Sequence, residues 1–199
     1  MADRTTSQTE RGPLGTSRER DDMRIGVIGP TDIDKTSTAA GLDPAICKRI
    51  AREAGETLAA RGFEAVLVPD RGVGLFAAEG YRSAGGRWLI GIIPSGGTSG
   101  QQATSCCDHH RHLCDKVEED LEWTAQHERI CQLSDVLLCI GLSCGTLSEI
   151  AWTKWVGNTP VVIIEPLVSG IPPEVGAETD LHFVQNLDEF YEVVSTLAQ

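Results

Sequence analysis

The chain has 199 residues, 41% of them hydrophobic and 23% charged, ordinary values for one domain with a real core. Its formal charge of −12 and pI of about 4.8 argue against a broad nucleic-acid surface or adhesion to an anionic membrane, since both need clustered Lys and Arg. No apolar stretch approaches the roughly 20 residues of a bilayer span, so a soluble protein is expected.

Residues 1–22, MADRTTSQTERGPLGTSRERDD, lack the apolar core of a secretory signal and carry too many acids for an organelle transit peptide. They read as a disordered tail, with one domain over 23–199. The seven cysteines are scattered, which without an export signal reads as reduced thiols in a cytoplasm.

MRIGVIG (23–29) suits a buried first strand that ends in Gly-Pro. DPAICKRIAREAGETLAARG follows as a helix, with Pro44 near its start and Gly62 after its end. FEAVLVP is a second strand, GLFAAEGYRSAGG a short helix and RWLIGIIP a third strand. The segment 95–116 is polar, Gly/Ser-rich and long, and reads as a binding or mobile loop. A helix is predicted over 117–133, then the strand DVLLCIG, a helix opened by Gly145-Thr146, the strand TPVVIIEP, and a closing strand and amphipathic helix. Strands alternating with helices predict an α/β fold: a single Rossmann-like, doubly wound parallel sheet covered on both faces. Ligands of such sheets bind beyond the carboxyl ends of the strands, where the strand order reverses. That edge gathers the loops starting at Gly29, Pro69, Pro94, Gly141 and Glu165.

GLSCGTLSEI (141–150) leaves a strand through small residues and opens a helix. Free N–H groups and the positive dipole end make such a start a phosphate site, with Gly145 admitting a ligand and Thr146 donating from its hydroxyl. The same residues also read as a capping box, with Thr146 as the N-cap and Glu149 bonding back to it. In the predicted helix 117–133, the row Val117, Leu121, Ala125, Arg129, Leu133 is apolar except for Arg129. A guanidinium on that face needs a partner, either an internal carboxylate such as Glu149 or a ligand phosphate or base. CCDHHRHLC (106–114) fits no standard zinc framework, and no metal site is expected. Cys144 is a small residue beside the helix start.

ERICQLSDVLLCIGLSCGTLSEIAWTKWVGNTPVVII resembles the core of the Lonely Guy-type phosphoribohydrolases, often misnamed lysine decarboxylases, and of the related molybdenum-cofactor carriers. RGVGLFAAEGYRSAGGRWLIGIIP resembles an earlier segment of that superfamily, and the likeness spans about 23–198. It implies that the catalytic Arg and Glu fall on Arg129 and Glu149, and the Gly-Thr pair on Gly145-Thr146. Two departures stand out: Gly141-Leu142-Ser143 replaces Pro-Gly-Gly, and Pro69-Asp70-Arg71-Gly72 replaces a glycine run. Leu142 is expected to add bulk near the phosphate. The candidate ligand- and phosphate-binding residues are thus Gly29, Asp70, Arg71, Gly72, Pro94, Ser143, Cys144, Gly145 and Thr146.

The function this implies is hydrolysis of the N-glycosidic bond of a nucleoside 5′-monophosphate or related phosphorylated nucleoside, without cofactor or metal. The alternative is a non-catalytic carrier or sensor of a nucleotide or of the molybdenum cofactor. The expected partner is a small phosphorylated ligand, with no nucleic acid and no membrane. A homodimer is implied by the resemblance, and Ile150, Trp152 and Trp155 on one helix agree with it, because they cannot all face the sheet.

Overall fold

The apolar runs become strands buried on both faces. The structure, a computed structural model, describes residues 23–95 and 105–198. The tail 1–22 and the middle of the polar loop, 96–104, lie outside the described residues. Among the described residues seven strands form one sheet: β1 (Arg24–Ile28), β2 (Glu64–Leu67), β3 (Leu89–Ile92), β4 (Lys116–Glu118), β5 (Val136–Cys139), β6 (Val161–Ile164) and β7 (Leu181–Val184). Their order is β4-β3-β2-β1-β5-β6-β7, and every pairing is parallel. The expected doubly wound α/β fold is what the chain adopts.

The period of two along each strand divides the core. Ile25 and Val27 of β1, with Val136 and Leu138 of β5, face one helical layer: α2 (Pro44–Ala60), α3 (Gly72–Ser83) and α7 (Leu187–Leu197). Ile28, Leu137 and Cys139 face the other, with Ile130 and Cys131 of α4 (Gln126–Leu133) and Ile150 of α5 (Cys144–Thr153). Each fully buried Leu or Ile contributes about 1.5–3 kcal/mol relative to exposure, so these two layers dominate the stability.

Four elements differ from expectation. The predicted helix 117–133 is instead the edge strand β4, a single 3-10 turn at Trp123–Ala125, and α4. Val117 pairs with Gly91 in the sheet, so its four-residue spacing from Leu121 is not a helical face. The described part of the polar loop is built, with a 3-10 helix over Cys107–Leu113 leading into β4. Two helices were not anticipated, α1 (Ile33–Ala39) directly after β1 and the single turn α6 (Pro173–Gly176). Among the described residues no helix is long and apolar enough to cross a membrane.

Candidate functional site

β1 and β5 are neighbours, and the chain runs outward from them in opposite directions, which is a topological switch point. A cavity of about 630 Å³ opens beyond their carboxyl ends. Its walls are the β1–α1 loop, the start of α3, the inner face of α4 and the first turns of α5.

Two glycines let these loops close on one another. A β-carbon at Gly29 would collide with the Ile140 carbonyl, so the ends of β1 and β5 touch only with glycine there. Gly72 has φ +59°, and a β-carbon on it would strike the Pro30 carbonyl. Next to it the Val73 amide donates to that carbonyl at 3.1 Å, tying the start of α3 to the end of β1. Arg71, one residue earlier, thereby stands at the cavity mouth, about half exposed.

Asp70 points elsewhere. Its carboxylate is buried and accepts from the Cys106 amide at 2.5 Å and the Ser105 hydroxyl at 3.1 Å. His110 Nδ1 donates to the Pro69 carbonyl at 2.8 Å from the same segment. Asp70 and His110 thus clamp the 3-10 segment onto the β2–α3 loop. Pro94 is buried just past β3, two strands from the switch point, and like Asp70 and Gly72 it does not line the cavity. Among the described residues no group of three or more His, Cys, Asp or Glu is arranged to hold a metal.

The cap of α5 is Ser143, whose Oγ accepts from the Thr146 amide at 3.1 Å and lies 2.9 Å from the Thr146 hydroxyl. Thr146 is therefore the third helical residue, and the capping-box reading is corrected: Glu149 lies too far along α5 to reach the cap. Ser143, Cys144, Gly145, Thr146 and Glu149 all line the cavity. Leu142 turns away from it toward the apolar layer that holds Ile130 and Ile150, so its bulk is not set against this cavity.

Glu149 is buried, and Oε1 accepts from His127 Nδ1 at 3.2 Å. Oε2 is also buried and has no hydrogen-bond partner among the described residues. Burial pushes the carboxyl above the usual range, and His127 only partly opposes this. An unsatisfied buried acceptor costs about 1–3 kcal/mol, which a ligand or water donating to it would recover.

Arg129 is not brought to Glu149. Its Nη2 and Nε donate to Glu118 Oε2 at 2.5 and 3.1 Å, and Nη1 donates to Gln132 at 3.2 Å. With α4 starting at Gln126, Ile130 and Cys131 turn inward and Arg129 faces the rim beside β4. Lys116 and Arg129 together hold the Glu118 carboxyl below its usual range. The polar side chains that α4 does send into the cavity, beside Ile130, are Gln126 and His127, neither of which was anticipated. Thr31 and Lys35 from the β1–α1 region and Trp123 also line it. The polar run TDIDK directly after Gly29-Pro30 is a sequence signal for the first two, once that loop is placed at the switch point.

The sequence profile of the SLOG cluster4 family matches residues 22–191. The chain belongs to the SLOG cluster4 family. This places it in the superfamily that its motifs resemble. No curated protein matches the chain. Among solved structures it is similar to the molybdenum cofactor carrier protein of Chlamydomonas reinhardtii, at 22% identity and a TM-score of 0.63, covering 88% of this chain and 98% of that one. The molybdenum cofactor binding protein of Rippkaea orientalis is 19% identical with a TM-score of 0.59, covering 89% and 98%. DNA processing protein A of Helicobacter pylori, whose structure concerns single-stranded DNA binding, is 13% identical with a TM-score of 0.59, covering 87% and 80%. At these identities the likeness is one of fold.

Proposed function

We propose that this SLOG cluster4 protein binds a nucleoside 5′-monophosphate or a close relative at the switch-point cavity and hydrolyses its N-glycosidic bond. The observation that carries the reading is the buried, unpartnered Oε2 of Glu149 in the wall of a cavity that begins at a helix N-terminus. Ser143 takes up the Thr146 amide, which leaves the first two amides of α5, those of Cys144 and Gly145, for a phosphate. Arg71 and Lys35 at the mouth add positive charge for the same group. The ionised Glu149 carboxylate then offsets the positive charge that develops on the sugar as the C–N bond breaks. It accepts a proton from the attacking water, and that proton passes to the departing base nitrogen. The products are free base and ribose phosphate.

A carrier of a phosphorylated pterin, the molybdenum cofactor included, is the second reading, and the placement of Arg129 favours it. With that guanidinium engaged by Glu118, the cavity keeps an anion site but only one member of the superfamily's catalytic pair. The residues present fit the phosphate end of such a ligand. In either reading the partner is a small anion rather than nucleic acid, because the chain carries a net −12. Trp155 lies in the turn after α5 rather than on the helix as expected, but it and Trp152 near the helix end are both exposed and support association with a second copy, to be checked by light scattering at micromolar concentration.

The deciding experiment is a hydrolysis panel of nucleoside monophosphates with wild type and Glu149→Gln. Turnover that falls at least ~100-fold in Glu149→Gln, with nucleotide binding kept, is the expected result. Wild type that binds a phosphorylated ligand tightly and turns over none of the panel removes the hydrolase reading in favour of the carrier. Stability provides a control with a defined sign. A carboxyl whose folded-state pKa is raised makes the fold less stable as pH climbs from its unfolded value through its folded one. Glu149→Gln should therefore melt higher than wild type at pH 8, and the gain should shrink as the solution is acidified.

A further inference from the structure

Glu149 does not stand alone in the cavity wall. We propose that His127 is a positioning residue of this site: it holds one oxygen of Glu149 and turns the other toward the ligand. The inference rests on the hydrolase reading for its kinetic part and on geometry for the rest.

The hydrogen bond from Nδ1 to Oε1 engages one oxygen of the buried carboxyl, and so leaves Oε2 for the ligand. The imidazole lies close over the start of α5. A β-carbon at Gly145 would lie 3.2 Å from His127 Cε1, so glycine at 145 leaves room for the ring as well as for a ligand.

The other titratable groups packed around Glu149 do not share the task. Cys131 of α4 donates its thiol to the backbone carbonyls of His127 and Glu149, at 3.1 and 3.2 Å, and not to the carboxyl. Burial, reinforced by the Glu149 charge, pushes that thiol up to about 12. Cys139 of β5 is pushed up further by burial and by Glu149, so both thiols stay neutral at any working pH. Asp32, Lys35, Arg71 and Cys144 line the same cavity from the β1–α1 region, α3 and the α5 start, but none hydrogen-bonds the carboxyl. Among the described residues, His127 is left as the side chain that hydrogen-bonds the carboxyl. Without it, burial acts on the carboxyl unopposed.

The test uses the full chain, with His127→Phe as the disrupting variant and His127→Asn as the one that keeps a donor near the Nδ1 position. The acid limb of the kcat/KM profile for the best monophosphate of the panel should move upward by about one pH unit in His127→Phe. In His127→Asn it should return most of the way. A limb that stays in place in both folded variants reduces His127 to packing and overturns the proposal. Carbon-13 NMR titration of the Glu149 carboxyl supplies a readout that needs no turnover. An upward move of its midpoint in His127→Phe upholds the pairing even if the wild type hydrolyses nothing, which would sink the hydrolase reading alone. An unmoved midpoint sinks the pairing whatever the turnover.

Discussion

Of the helices that start at the cavity, α1 after β1 and α5 after β5 close their first turns with opposite chemistry. α1 begins at Asp32, whose carboxylate accepts from the Lys35 amide at 3.1 Å, and it is only 7 residues long. α5 begins at Ser143, whose neutral hydroxyl accepts from the Thr146 amide at the same 3.1 Å, and it runs for 10 residues. A carboxylate cap supplies the negative charge that the helix end attracts, whereas a hydroxyl satisfies one amide and leaves the field in place. The difference marks α5 as the anion end of the cavity and α1 as its self-satisfied neighbour.

Making the two starts alike is the strongest way to break this comparison. Ser143→Asp keeps a good cap, so the melting temperature should stay within about 2 °C of wild type. Its carboxylate would stand where the phosphate is proposed to bind, and affinity for AMP in calorimetry should fall about 30-fold or more. Unchanged affinity would mean that the phosphate binds elsewhere. Next in size are the cations at the mouth. Arg71→Ala and Lys35→Ala should each weaken AMP about three- to tenfold, with a loss that shrinks in high salt, because both side chains are solvent-exposed. The reverse exchange is smaller still. Asp32→Asn keeps a cap on α1 and removes one negative charge from the cavity, so AMP affinity should rise about two- to fivefold. A fall in affinity would show that Asp32 contacts the ligand.

The α5 wall of the cavity was legible in the sequence and the α4 wall was not. DVLLCI followed by GLSCGT announces a buried strand, a tight exit and a helix start through composition alone, and the parallel sheet follows from such units. The residues that fill the cavity from α4 depend on where that helix begins. Starting at Gln126, it sends His127 and Ile130 inward and Arg129 outward. The apparent row from Val117 to Leu133 crosses a strand, a 3-10 turn and a helix. Nothing local distinguishes it from a real face, because β4 exists only through its pairing with β3. Ser143 and Thr146 are likewise both good caps by composition, and only the backbone decided between them.

The smallest expected effect falls on the residue to which sequence reasoning gave the most. Arg129→Ala should leave AMP affinity and any turnover within about twofold of wild type, since the guanidinium is held by Glu118 and Gln132 at the rim. Its cost should be in stability, about 0.5–1 kcal/mol, the range of a partly exposed ion pair. The remaining Lys116–Glu118 contact, at 2.6 Å, still neutralises the carboxylate that Arg129 leaves behind. A loss of turnover approaching 100-fold would carry a different message. It would require Arg129 to leave Glu118 and Gln132 and enter the cavity when ligand binds. The Arg129→Ala and His127→Phe variants therefore test separately which side chain of α4 acts on Glu149.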